Sequence, residues 1–221
     1  MPRTARSLVA GGHYHLINRG NDRSAVFHRP SDYQAFLRMI EQAQQEIRLS
    51  LLAVCLMPNH FHLVVSQHGA WDISRWMQRL LTTHTHRHHL RHGTSGRVWQ
   101  GRFKAFPIKQ DHHLLTVMRY VEHNASRAGL VSHAEQWRWG SLSWRMTGSS
   151  GPPLSEPPLP LPPDWPSLVN APQSAAEIEA LRASVNRQRP FGDDAWIVET
   201  AERLGLQSSR RGPGRPRKSG E

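Results

Sequence analysis

Residues 56–66 read LMPNHFHLVVS, with His60 and His62 one residue apart inside an apolar run. Alternate residues of a strand share a face, so the two imidazoles emerge side by side, about 6.5 Å apart along the chain, with Phe61 on the opposite side. Two imidazoles at that spacing can chelate one metal ion. The plain alternative is a pair of half-exposed histidines on the solvent face of a sheet. Ligand softness alone would suit zinc, manganese or nickel. A second group lies in LLTVMRYVEHNASRAGLV, where Tyr120 and Asn124 are four residues apart on a helical pattern. Residues i and i+4 share a helix face, so a phenol and an amide oxygen point together. Read without other information, Tyr120 is an amphipathic residue at a helix–sheet seam.

The elements that must position these groups follow from periodicity. HYHLINR (13–19) alternates and predicts a strand, and GND (20–22) a turn. Ser31 is a plausible N-cap with Asp32 in the first turn, followed by Tyr33, Phe36, Leu37, Ile40, Ala43 and Ile47 at helical spacing. Strands at 51–57 and up to about 66, joined by Pro58-Asn59, form a hairpin. Asp72 can cap a second helix carrying Ile73, Trp76, Met77, Leu80 and Leu81. That helix runs into the basic, histidine-rich HTHRHHLRHG (84–93), and Gly93 and Gly96 end it. RFKAFPIK (102–109) is a fourth strand, and Pro107 places it at an edge or a strand end. A third helix spans 111–127, with Leu114, Leu115, Val117, Met118 and Val121 inward and Gly129 as its stop. The resulting order is strand, helix, strand, strand, helix, strand, helix. It predicts an α+β, ferredoxin-like split βαβ sheet with an added helix, with one face buried and the two histidines standing on the other.

Four segments are expected: a domain over 1–148, a proline-rich extended linker over 149–170, a short helical extension over 171–209, and a basic, disordered tail over 210–221. Within the extension, helices are expected at about 174–187 and 193–204.

Composition narrows the partners. The 221 residues hold 28 Lys and Arg against 17 Asp and Glu, a formal net charge of +11. That balance favours a polyanion. No run of about 18 apolar residues is present, so no membrane span is expected. MPRTARSLVAGGHYH lacks the apolar stretch of a signal peptide. The single cysteine, Cys55, sits in LLAVCLM and reads as a buried, inert thiol. A cytoplasmic, nucleoid-associated protein is the simplest expectation.

PNHFHLVV carries the His-hydrophobe-His pattern of the HUH single-strand endonucleases. HYHLINRGNDR, SGRVWQGRFKAF and RYVEHNASRAGLV resemble the single-tyrosine transposases of bacterial insertion sequences, and most of all the REP-associated tyrosine transposases. The resemblance is close over residues 8–147 and looser through RPFGDDAWIVETAERLGL and the terminal GRPRK. One departure is Asn124-Ala125-Ser126-Arg127, where that family usually has Asn-Pro-Val-Arg. It alters a helix-end proline and no functional group.

The resemblance implies an HUH fold and a nuclease and strand transferase acting on single-stranded and hairpin DNA, notably REP-like palindromes. It implies Tyr120 as nucleophile, giving a 5′-phosphotyrosine and a free 3′-OH, and His60, His62 and Asn124 as ligands of Mg²⁺ or Mn²⁺. Relatives of this branch look monomeric, while insertion-sequence relatives exchange the tyrosine helix within a dimer. Arg19, Asn21, Arg23, Arg97, Arg102, Lys104 and Arg127 are expected at the DNA. Trp99 can stack an unpaired base or pack in the core, and Gln100 can read a base edge. His84, His88 and His92 share a helical stripe, but no carboxylate or cysteine accompanies them. A nucleic-acid-facing helix is therefore preferred there to a second metal site. Arg215, Arg217 and Lys218 in PGRPRK resemble a minor-groove hook, with a solvated charge run as the alternative. Competing readings are a hairpin-binding protein without transposition activity, an HUH replication initiator and a zinc hydrolase. An intact His60, His62 and Tyr120 disfavours the first, WQGRF and EHNASRAG the second, and the lack of an acidic base the third.

Overall fold

The computed structural model describes residues 8–148 and 151–210. Its elements in chain order are β1 (His13–Arg19), α1 (Pro30–Glu46), β2 (Leu49–Met57), β3 (His60–Gln67), α2 (Asp72–His92), β4 (Lys104–Ile108), α3 (His112–Glu122), α4 (Asn124–Arg127), α5 (Ser141–Thr147), α6 (Trp165–Asn170), α7 (Ala175–Arg187) and α8 (Asp194–Arg203). The four strands form one antiparallel sheet in the order β2-β3-β1-β4. This is the split βαβ arrangement expected from the element order. Pro107 lies in β4, an edge strand, where its missing N–H breaks no inner ladder.

α1 and α2 cover one face of the sheet. Phe36, Ile40, Trp76 and Leu80 lock against Leu16, Phe61, Leu63 and Val65. Each fully buried Phe, Ile or Leu of this kind contributes on the order of 1.5–3 kcal/mol. α1 starts one residue before the expected cap. Pro30 is its first residue, and the Asp32 carboxylate caps it by accepting from the backbone N–H groups of His28 and Arg29, each at 3.0 Å. Pro30 brings the fixed φ of a first helical turn, which moves the start ahead of Ser31. Likewise Asp72 is the first residue of α2 rather than its cap, and it accepts from the Gly69 N–H. Gly93, at φ 61°, ends α2 in the left-handed conformation that a side chain disfavours.

The second face is covered as well, contrary to the expectation of an open one. α3 lays Leu114, Val117, Met118 and Val121 on Val64, Phe106 and Ile108, and Trp165, Leu181 and Phe191 extend that layer. The proline-rich stretch is a packed strap rather than a free linker. Ser155 N–H donates to the Leu51 carbonyl at 2.8 Å, and α6 falls within the range expected to be extended. Prolines leave few backbone donors there, so single anchors such as Trp165 hold it. α7 and α8 match the two expected helices closely, each capped by its own side chain, Ser174 and Asp193. Cys55 is buried, and burial pushes its thiol up to about 12, in keeping with an inert core residue.

Candidate active site

The β1–β3 register sets Arg19 opposite His60 and Ile17 opposite His62. His62 is only 3 % exposed, and His60 is half-buried beside it, their ring centroids 5.0 Å apart. The histidines therefore do not stand in solvent, because α3 closes over them. Tyr120, 6 % exposed, brings its ring centroid to 6.0 Å from His62, nearly perpendicular to it. The expected nucleophile and the histidine pair thus meet within one chain.

Sequence reasoning missed His15. It shares the sheet face of His62, stacks on it at 4.9 Å with a 4° interplanar angle, and places Nε2 2.8 Å from His62 Nδ1. Its signal was present as a second His-x-His, His13 and His15 in HYHLINR. A partner fixes the His60 tautomer. Asn59 Nδ2 donates to the Arg23 carbonyl, so Asn59 Oδ1 accepts from His60 Nδ1–H at 2.6 Å and leaves the His60 Nε2 lone pair free. If His62 Nδ1–H donates to His15 Nε2, His62 Nε2 is free in the same way. Such an acceptor behind a ligating imidazole orients it and raises its basicity.

Burial holds these rings neutral. It lowers His60 to about 4, with the positive charges of Arg19 and Arg127 adding to the effect. It lowers His15 to about 3 and His62 well below the usual imidazole range. Neutral imidazoles are the form that binds a metal. The donor set therefore fits a divalent cation. Among the described residues, the triads of His, Cys, Asp or Glu ligand atoms within 4.8 Å of one another lie elsewhere.

Asn124 is the expected third ligand. A bend at His123 ends α3, yet Asn124 stays one turn from Tyr120, its Nδ2 donating to the Tyr120 carbonyl at 3.3 Å. Its Oδ1 accepts from Arg127 Nη2 at 2.5 Å. The Arg127 guanidinium also lies 4.1 Å from the Tyr120 ring centroid. Behind Tyr120, the buried Glu122 carboxylate accepts from Ser141 Oγ, Arg145 Nε and Trp165 Nε1 at 2.5, 3.3 and 2.7 Å. These contacts tie the end of α3 to α5 and α6 and fix where Tyr120 sits. No sequence spacing announces them, because the partners lie far apart in the chain. Desolvation raises the Glu122 pKa, opposed by the Arg145 charge.

Arg19, Gln100, Arg102 and Lys104 line one cleft of about 280 Å³ together with Asn18, Val185 and Asn186. It begins beside His60, since Arg19 is that residue's strand partner. Other expected contacts fall outside it. Arg23 and Arg97 are exposed, and the Asn21 amide donates to its neighbour Asp22. Trp99, 7 % exposed, packs on Phe36, Phe61 and His84, so the packing alternative describes it and its faces are not open to a base. Aromatic neighbours on α1 and β3 draw it inward. Arg215, Arg217 and Lys218 lie outside the described residues.

A family model described as "Transposase IS200 like" matches residues 8–124, more than half of the chain. Among solved structures, the REP-associated tyrosine transposase bound to a REP hairpin is similar at 20 % identity and a TM-score of 0.57, covering 67 % of this chain and 87 % of that one. A putative transposase from Deinococcus radiodurans R1 aligns at 18 % identity and a TM-score of 0.39, covering 55 % and 96 %. No curated protein matches. By the family match, with the sheet and helices of an HUH transposase around it, the chain belongs to the IS200-like transposase family.

Proposed function

We propose that the protein is a divalent-metal-dependent single-strand DNA endonuclease and strand transferase that acts on REP-like hairpins with Tyr120 as nucleophile. The observation that carries this reading is the Tyr120 ring 6.0 Å from His62, inside one chain. Tyr120 Oη attacks the phosphorus, the bond to the 3′ oxygen breaks, and the products are a 5′-phosphotyrosine and a free 3′-OH. The phosphodiester-level bond is retained, so a 3′-OH can reverse the step and join strands. Mg²⁺ or Mn²⁺ held by His60, His62 and Asn124 would neutralise the phosphate oxygens and polarise the phosphorus. Asn124 can take that part once Arg127 releases its Oδ1, and the phosphate is the natural new partner for the guanidinium. Glu122 and its partners hold the nucleophile in register throughout.

The basic cleft beside His60 suits a phosphate backbone leading into the site, in keeping with the net charge of +11. A hairpin substrate is proposed because the solved transposase of this fold is bound to a REP hairpin. A complete site within one chain supports a monomer over exchange of the tyrosine helix. Among the described residues no helix is long and apolar enough to cross a membrane, and action at the nucleoid in the cytoplasm is proposed.

The test is incubation with end-labelled single-stranded, hairpin and fully duplex oligonucleotides, with Mn²⁺ or with EDTA. The expected result is a Mn²⁺-dependent covalent adduct with the first two substrates only. Binding without any adduct would leave a hairpin-binding protein instead.

A further inference from the structure

His28, His88 and His92 form a second constellation, away from the nucleophile. His88 and His92 are four residues apart on α2 and share a face, with ring centroids at 4.6 Å. His28, from the loop before α1, comes within 4.8 Å of His92 and 5.8 Å of His88, again between centroids. One ring nitrogen from each of the three lies within 4.8 Å of the other two. Asp32 Oδ2, which caps α1, lies 3.6 Å from His92 Nε2 and places a negative charge beside the three rings. His88 Nε2 is buried and has no hydrogen-bond partner, which leaves a donor atom unused. His84, which the helical stripe had grouped with these residues, is instead packed among Phe27, Phe36 and Trp99.

We propose that His28, His88 and His92 bind one transition-metal ion of the zinc class, separately from the metal used at Tyr120. Three imidazoles, with one position left for water, suit an ion of borderline softness and suit Mg²⁺ poorly. Asp32, His88 and His92 also line one small cavity. Arg87 and Arg91 line the same cavity, and the Asp32 charge offsets one of the two. The ion would pin the end of α2 to the start of α1. The segment that leaves α2 then runs to two hydrogen bonds, Asn21 N–H to the Val98 carbonyl and Gln100 N–H to the Arg19 carbonyl, both at 2.9 Å. These brace the wall of the basic cleft, so the ion would steady the DNA-binding surface without touching the chemistry.

The test uses untagged full-length protein stripped with EDTA and titrated with Co²⁺, read by its visible d–d absorption, with Zn²⁺ as competitor. A thermal melt with and without Zn²⁺ accompanies each titration. The His60→Ala/His62→Ala double variant, which lacks the site at Tyr120, is expected to bind one tight ion and to melt higher with Zn²⁺, and wild type and His86→Ala, an exposed control on the same helix, are expected to bind that ion in addition to any at Tyr120. His88→Ala/His92→Ala is expected to lose that ion and the Zn²⁺ shift. His28→Ala is expected to weaken binding by at least about tenfold, and it carries the test alone if the double variant does not fold. Equal stoichiometry and affinity in wild type and His28→Ala overturns the proposal, as does loss of the ion in the His60→Ala/His62→Ala variant only.

Discussion

Replacing His15 by leucine separates orienting a ligand from folding the sheet. In the tautomer that can bind metal, His62 Nδ1–H donates to His15 Nε2, 2.8 Å away, and so turns His62 Nε2 toward ligation. Leucine removes the acceptor and leaves a buried His62 Nδ1–H unpaired, which costs about 1–3 kcal/mol. It also deletes His15 Nδ1, which is itself buried without a partner. The two changes oppose each other, so metal-free stability should move by less than about 1–2 kcal/mol. Metal affinity has no such offset, and loss of a partner behind a ligand typically costs about 10–100-fold. The assay is initial cleavage rate of a hairpin oligonucleotide against Mn²⁺ concentration, with urea unfolding in EDTA alongside. The half-saturating Mn²⁺ of His15→Leu should rise by about 10–100-fold, with most of the rate recovered at saturation. His15→Gln, whose Oε1 can accept, should fall between the two. An unchanged Mn²⁺ dependence in a folded His15→Leu protein would refute the role given to His15.

Three further outcomes are expected. Arg127→Ala should lower cleavage by about 10–150-fold, the worth of a charged hydrogen bond, and Arg127→Lys should not restore it, because a lysine lacks the planar fork; single-turnover kinetics on the same oligonucleotide checks both. His84 is buried and its pKa lies near 3, well below the unfolded value of 6.5, chiefly through desolvation, so its contribution is full above pH 6.5 and is lost as pH falls toward 3, in total roughly 5 kcal/mol. His84→Leu should shrink the stability difference between pH 7 and pH 5 by about 2 kcal/mol in EDTA, measured by urea unfolding, and an unchanged difference would contradict the assignment. Arg102→Gln with Lys104→Gln should reduce the slope of log K against log salt for a single strand by up to about 1.4, while cleavage at saturating DNA persists; an equal slope in filter binding would remove these residues from the DNA contact.

Strands and long helices were legible because their apolar residues recur cleanly: alternation over 13–19, and Phe36, Ile40 and Ala43 on one helical face. His60, His62 and Tyr120 were legible as a motif, and the structure brings them together. What escaped depends on register and on contacts between distant segments. His15 gains its role only when β1 lies beside β3, and His28 joins His88 and His92 only when a loop folds onto the end of α2. α3 was legible as a helix, but which sheet face it covers is set by tertiary packing, and the proline-rich segment that extends this layer gives no periodic signal, although Trp165 anchors it to Glu122. Trp99 and His84 were drawn toward DNA by their basic neighbours in sequence, whereas their neighbours in space are Phe36 and Phe61.

The most direct test of the tyrosine mechanism is a trapping experiment on wild type and Tyr120→Phe. Both are mixed with a 5′-blocked, 3′-labelled hairpin oligonucleotide and Mn²⁺, resolved on a denaturing gel, and the adduct is digested and mapped by mass spectrometry. Wild type should yield a labelled protein–DNA band whose modified peptide carries the 5′ end of the cut strand on Tyr120. Tyr120→Phe, which loses one hydroxyl, should bind the hairpin with similar affinity and give neither band nor cleavage. An adduct on any other residue, or full cleavage by Tyr120→Phe, would contradict the assignment.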